Sequence, residues 1–493
     1  MKKQFPIIPT EFVKYRPVQP RVALRDTRPR LFRLGLGHNG SVAGPTMMWF
    51  RRDLRLSDNP ALLHAIGQGL PVVGVFVLDD QLWGPAGASR RAFLLGCLRS
   101  LDDSMLGRLV IRRGPPEAVL VALARQVQAR LVVAAEDFGP YGRARDERVA
   151  RALAAEGCAL ERVASPYAVA PGLVLNREGR PYRVFTPFSR AWLDHGWPAP
   201  EPAPTDPPFV GGIEAGRLPS DPPVDVSLPE PGEAAAKRAA RRYWDSGLAS
   251  YQEVRNFPGR DATSRLSPYL RWGCLHPRQL LAKLGTGSSD RVFRSELCWR
   301  EFYADVLYHD PGSARRAWNP AMATIEVDRG PSADRAFRAW AQGQTGYPLI
   351  DAGMRQLQAE GWMHNRVRMA VASFLVKDLH LDWTRGARHF MAYLVDGDVA
   401  SNSHGWQWVA GTGTDASPYP RVFNPVTQSN ASTPTATTYA ATFRSFELCK
   451  PRAFTSPGAC QRDRLRVIPC RSSITAPSAP RRWFDSVIAE PIR

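Results

Sequence analysis

From Met47 onward, short unbroken apolar runs alternate with stretches in which apolar residues recur every three or four positions. MMWF (47–50), PVVGVFVLDD (71–80), LVIRR (109–113) and LVVAAEDF (131–138) are of the first kind; 89–101 and 116–129 are of the second. Runs buried on both faces, separated by amphipathic helices, predict an α/β domain with a doubly wound parallel sheet over 47–175. Ligands of such a domain sit beyond the carboxyl ends of its strands. No GxGxxG or GxxxxGK[ST] follows any of these runs, which removes support for a dinucleotide-dependent dehydrogenase or a P-loop enzyme. Pro and acidic residues crowd 198–231, so 176–235 reads as an interdomain linker. Beyond Glu233 the period is helical throughout, predicting an all-α domain over 236–428. Residues 1–46 sustain neither period and read as a disordered extension, or as sequence upstream of a true start at Met47 or Met48.

The chain has 493 residues and 44% hydrophobic content, enough for two or three cored domains. No apolar run approaches the roughly 20 residues that cross a bilayer, and no secretion signal follows the basic N-terminus, so a cytoplasmic, non-membrane protein is expected. Seven cysteines without paired spacing argue for free thiols and against a disulfide frame or a metal site. The net charge of +19 suggests a polyanionic partner. Its placement weakens that inference: residues 1–46 carry nine Lys/Arg against two acids and 429–493 carry ten against four, leaving the body at +6. A body of that charge is compatible with phosphate contacts to nucleic acid and does not require them.

The chemistry concentrates in DGDVASNSHGWQWVAGTGTD (396–415) and in GWMHNRVRM (361–369). Acids, amides, arginines and indoles at that density exceed the needs of a core helix and describe a pocket for a large, flat, phosphate-bearing ring system. TSRLS (263–267), taken by itself, is a helix N-terminal cap.

Seven blocks in order resemble the DNA photolyase/cryptochrome flavoproteins: WFRRDLRLSDNPAL, VFTPFSRAW, TSRLSPYLRWGCL, ELCWREFY, TGYPLIDAGMRQL, GWMHNRVRMAVASFLVKDL and DGDVASNSHGWQW. The likeness covers about 47–428 and is strongest to the class I cyclobutane pyrimidine dimer photolyases. It implies FAD in the helical domain. Tyr251, Thr263, Ser264, Arg265, Leu266 and Ser267 match the segment that contacts the cofactor's phosphates, a role that hydroxyls and orphan N–H groups at a helix start can fill. Phe293, Glu296, Arg300, Asn365, Arg368, Asp396, Asp398 and Asn402 complete the implied pocket. Arg368, expected to pair with Asp396, would favour an anionic reduced flavin. Asn402 matches the position facing the flavin N5, and its neutral amide cannot serve there as a proton-donating acid.

The substrate so implied is UV-damaged DNA carrying a cyclobutane pyrimidine dimer, flipped into the cavity above the flavin. Trp299 and Trp408 would wall the lesion, Met369 would floor it, and Glu296 and Asn365 would bond its edges, while Arg255, Arg366, Arg421 and Gln428 would reach the lesion strand. Asn365 and Met369 stand where (6-4) repair uses two histidines, which favours the dimer. Trp406 and Trp383 match the first two indoles of the family's photoreduction chain; Thr324 stands where a third indole is common, and Trp318 is the nearest substitute. EDFGPYGRARDERV (136–149) resembles the border of an antenna site for 8-hydroxy-deazaflavin, preferred here, or methenyltetrahydrofolate. A monomer is expected.

Beyond Gln428 the resemblance stops. Read in a shifted frame with GC-rich codons, the chain from that point regenerates a family-like run, so 429–493 is expected to be a frameshift product rather than a regulatory extension. The functional expectation is light-driven dimer repair, with a cryptochrome-like photoreceptor or an inactive frameshifted copy as alternatives.

Overall fold

The computed structural model describes residues 44–414. Five strands, β1 (Thr46–Phe50), β2 (Val72–Leu78), β3 (Val110–Arg113), β4 (Leu131–Ala134) and β5 (Ala159–Arg162), form one sheet in the order β3-β2-β1-β4-β5. Every pairing is parallel. All residues of β1 and β2 are buried. Their side chains alternate between two cores: Met48, Phe50, Val72, Phe76 and Leu78 face one, and Met47, Trp49, Val73, Val75 and Val77 the other. A strand covered on both sides needs apolar residues at every position, which is why these runs lack the alternation of a half-exposed strand. The sheet is thus doubly wound, with its order reversing between β1 and β4.

The stretch expected to be linker is not extended throughout. It contains the helix Phe185–His195, whose Phe188 and Trp192 are buried against the sheet-side core. The remainder runs along the sheet: Val72 pairs with Phe209, and the N–H of Ile111 donates to Ala215 O. From Glu233 to Ala410 every named element is helical. Glu233 opens this part by accepting the backbone N–H groups of Leu56 and Ser57 at 2.7 and 3.2 Å.

The helical part has two main cores, beside a small cluster in which Ala304, Leu307 and Ala400 meet Phe138 and Tyr167. The first continues the sheet-side core through Leu266, Tyr269, Phe293, Leu297 and Phe302. The second is separate and holds Trp340, Met363, Val367, Trp383, Phe390 and Trp406. The α/β and helical parts meet at Gly273, which ends the helix Ser267–Trp272 at φ +67. A Cβ there would lie 1.9 Å from Arg52 O, so both backbone angle and space demand glycine. No helix among the described residues is long and apolar enough to cross a membrane.

Candidate functional site

The start of the helix Val399–Ala410 lies where the two cores of the helical part face each other. Asp396 Oδ2 accepts from Arg368 NH2 at 2.8 Å and from Ser267 Oγ at 2.7 Å. Ser267 follows Leu266 of the first core and Arg368 follows Val367 of the second, so one carboxylate bridges both. The Arg368–Asp396 pair expected from the sequence is therefore formed. Arg368 Nε is fixed by Met363 O at 2.8 Å. Asp396 Oδ1 is buried without a partner. An orphaned carboxylate oxygen of this kind awaits a donor, because burial without one is costly.

Two residues on, Asp398 caps the same helix by accepting Ser401 N at 3.1 Å. It also accepts Arg52 NH2 at 2.8 Å, and Arg271 Nε stands 4.0 Å away. Burial acts to raise its pKa, yet the guanidiniums of Arg52, Arg271 and Arg300 outweigh it and hold the carboxyl well below the usual range. Arg271 is shifted in the disfavoured direction: burial, with Arg52 and Arg90 nearby, pushes it down to about 9, and its NH1 is buried without a partner. Cations thus outnumber acids around this helix start, a setting suited to an anionic group.

A second cluster gathers around the N-terminus of the helix Asn365–Ser373. Arg255 pairs with Glu296 at 2.7 Å, and its guanidinium lies 5.4 Å from the Tyr251 ring centroid. Arg366 Nε donates to Asn256 Oδ1 at 2.9 Å, and its NH1 meets Met369 Sδ at 3.4 Å. Asn365 Nδ2 reaches the same sulfur at 4.0 Å. His364 caps this helix through Nδ1, leaving Nε2 buried and unpartnered; burial, then Arg366 and Arg368, push its pKa down to about 4.

Several expected residues are committed elsewhere. The Arg265 guanidinium bonds Asp261 and Glu360 at 2.8 and 2.9 Å and covers the Trp362 ring at 4.3 Å. Any phosphate contact from Arg265 is thereby left to its backbone, held at φ +48, with Ser264 Oγ accepting the N–H of Leu266 at 3.4 Å. Thr263 is half-buried beside Ser264 in the same segment. Arg300 donates to Pro166 O and Leu270 O and stacks on Tyr167, at the junction of the two parts. Trp299 lies flat on Phe185, 3.7 Å between centroids, so one of its faces is already covered. Phe293 sits in an aromatic nest with Tyr243, Trp244 and Tyr251. Trp408 packs on the second core and Trp299 on the first. Asn402 Nδ2 donates to Ala387 O at 2.9 Å, which leaves its oxygen as the acceptor to offer. The ring edge of Trp406 rests on Gly386, where a Cβ would be 2.1 Å from Cη2; Trp383 begins that same helix, Trp383–Tyr393. Arg421 and Gln428 lie outside the described residues, as do the expected extension up to residue 43 and the tail from 429.

Arg52, Arg90 and Arg271 were not singled out from the sequence. The available signal was the RRD run directly after β1, at the carboxyl edge of the sheet where ligands and partner domains are met.

Comparison with known proteins agrees with this architecture. Residues 46–208 match the family described as DNA photolyase, and residues 293–443 match the FAD binding domain of DNA photolyase. A deoxyribodipyrimidine photo-lyase of Synechococcus sp. is 39% identical over 424 residues, 80% of this chain and 87% of that protein. One from Thermus thermophilus is 41% identical over 396 residues, 79% of this chain and 90% of that protein. Among solved structures, a bacterial class III photolyase from Agrobacterium tumefaciens superposes with a TM-score of 0.76 at 36% identity, covering 83% of this chain and 88% of that one. A Synechocystis cryptochrome reaches a TM-score of 0.75 at 27% identity, covering 83% and 90%. A doubly wound sheet joined to a helical domain that carries an FAD-binding match defines a two-domain flavoprotein of the photolyase and cryptochrome type. The chain belongs to the DNA photolyase family.

Proposed function

We propose that this chain is a deoxyribodipyrimidine photo-lyase that splits cyclobutane pyrimidine dimers in DNA with light. The observation that carries the reading is the Ser267–Asp396–Arg368 bridge between two cores, with Asp396 Oδ1 buried and unpartnered, and with Arg368 on the same helix as the Arg366–Met369 pair.

The donor set fits FAD. Asp396 Oδ1 suits a ring N–H or an amino group, the unpartnered Arg271 NH1 adds to a positive field, and Asn402 offers an acceptor oxygen. Bound here in its reduced form, FAD would supply the electron that light drives to the dimer. Arg368 and the surrounding guanidiniums would hold negative charge in a low-dielectric site. Tyr251, Phe293 and Leu266 would close the pocket on the side of the first core, while Thr263, Ser264 and Ser267 would offer hydroxyls, and the backbone of Arg265 an N–H, to the pyrophosphate. Asp398 is a positioning residue: held by Arg52, it fixes the helix on which Asn402 and Trp406 stand.

The lesion would be flipped out against the face of Trp299 turned away from Phe185 and against Trp408, with Met369 beneath it. Glu296 and Asn365 would bond its edges, and Arg255, Arg366, Arg421 and Gln428 would approach the strand. No nucleophile or general base is required of the protein, whose part is position, exclusion of water and charge. An antenna chromophore in the α/β part, deazaflavin in preference to folate, completes the proposal.

The test is repair of a dimer-containing oligonucleotide by the photoreduced, FAD-loaded chain under blue light against a dark control. Flavin binding without repair would favour a photoreceptor, the reading to which the cryptochrome likeness lends support. Absence of light-dependent repair overturns the photo-lyase reading.

A further inference from the structure

The ring packing around Trp406 offers a second direction besides the helix that Trp383 begins. Two rings packed on Trp406 are those of Phe390, 5.0 Å between centroids, and Trp340, 6.1 Å at 72°. A phenyl ring is far harder to oxidise than an indole, so Trp340 is the redox-competent neighbour of the two. From Trp340 the ring contacts continue edge-on to His389 at 5.4 Å and, tilted, from His389 to Tyr393 at 4.7 Å. Tyr393 is 38% exposed, whereas Trp406 and Trp340 are buried. Thr324, where a third indole would stand, is exposed and carries no ring.

We infer that Trp340, His389 and Tyr393 form a route by which Trp406, once it has given an electron to the photoexcited flavin, is refilled from the surface. The inference rests on the FAD reading above. Trp406 Nε1 is buried without a partner, so the oxidised indole has no local acceptor for its proton and keeps its positive charge. Trp340 Nε1 donates to Val371 O at 3.0 Å, and a carbonyl does not take that proton either. Trp340 therefore passes one electron to Trp406 and becomes the oxidised site in turn. His389, kept neutral because burial pushes its pKa down to about 4, fills the gap between indole and phenol as a bridge. Tyr393 then gives one electron inward to Trp340 and its phenolic proton to water. An external thiol completes the step by donating a hydrogen atom to the tyrosyl radical, leaving tyrosine and a thiyl radical.

The experiment uses the full chain loaded with FAD, illuminated with blue light in the presence of dithiothreitol, with flavin absorbance and electron paramagnetic resonance recorded together. Wild type should show a transient tyrosyl signal that is absent in Y393F, and Y393F should photoreduce several-fold more slowly. W383F should retain part of the photoreduction, and W383F combined with Y393F should lose nearly all of it. Tyr393 is at the surface, so Y393F keeps the test meaningful if W340F does not hold flavin. A wild-type rate and an unchanged radical spectrum in Y393F, with photoreduction abolished in W383F alone, would overturn the route. Absence of bound flavin from wild type would instead overturn the reading on which the route depends.

Discussion

Arg52 and Asp398 stand 346 residues apart in the chain and 2.8 Å apart in the fold. One follows the first strand of the sheet and the other caps the helix that carries Asn402 and Trp406, so the pair ties the α/β part to the site itself.

Removing one member should cost more than removing both. Asp398→Ala strands Arg52 and Arg271 and also deletes a helix cap, an expected loss of roughly 3 kcal/mol or more. R52A combined with D398A should be less destabilised than the sum of the single variants. Urea denaturation of the four proteins checks this, and strict additivity would show that the pair is not coupled.

Acid should weaken the fold in two stages. His364 and His389, both held near a pKa of about 4 mainly by burial, are neutral in the folded chain and protonate near 6.5 when unfolded. Between those values the unfolded state binds more protons, so stability falls as pH drops from about 6.5 to 4, by up to about 1.4 kcal/mol per pH unit for each histidine. Asp398, with its folded pKa depressed, has the other window. Its contribution is complete above roughly pH 4 and is lost as pH falls further, toward the folded value. Denaturation midpoints measured from pH 7 to 4 test the first stage, and a flat profile there would contradict the neutral burial of both rings.

Two glycines with similar backbone angles should respond differently to alanine. Gly69 and Gly273 have φ +72 and +67, but only Gly273 would bring its Cβ against backbone, 1.9 Å from Arg52 O, whereas Gly69 has nothing within 4 Å. Gly69→Ala should cost about 1 kcal/mol, and Gly273→Ala several times that or a loss of soluble protein. Equal effects would mean that the close approach at the junction is easily relaxed.

Much of the fold was legible because burial writes itself into local pattern: β2 is apolar at every position since both its faces are covered. Within the site, the Arg368–Asp396 pair could be anticipated from motif and charge. The partners of Arg265 and Arg300 could not, since each guanidinium is taken by groups from other segments: Glu360 for one, Pro166 O for the other. The same holds for Trp340 beside Trp406, which are far apart in sequence and joined only by packing of the second core.

Flavin retention should depend on the bridge at Asp396. Asp396→Asn weakens the hold on Arg368, and R368A leaves a buried carboxylate uncompensated; either should lower FAD affinity by roughly tenfold or more, as expected for hydrogen bonds to charged groups. Ser267→Ala, which removes one neutral donor, should do less. The ratio of flavin to protein absorbance after dialysis measures all three, and unchanged retention in R368A would place the flavin elsewhere.

We further propose that 429–493 arises from a shifted reading frame. Resequencing the coding DNA across the codon for Gln428 is expected to reveal the shift, and a confirmed unshifted frame would dismiss it.

The two main cores of the helical part are bridged at the site by one carboxylate with an oxygen to spare. A ligand seated between them therefore belongs to the folded state as much as any side chain does. The melting temperature of this chain should then rise with free flavin concentration, as mass action requires of anything that binds only the native form. In a cell short of flavin, the abundance of the protein would fall before its activity per molecule did.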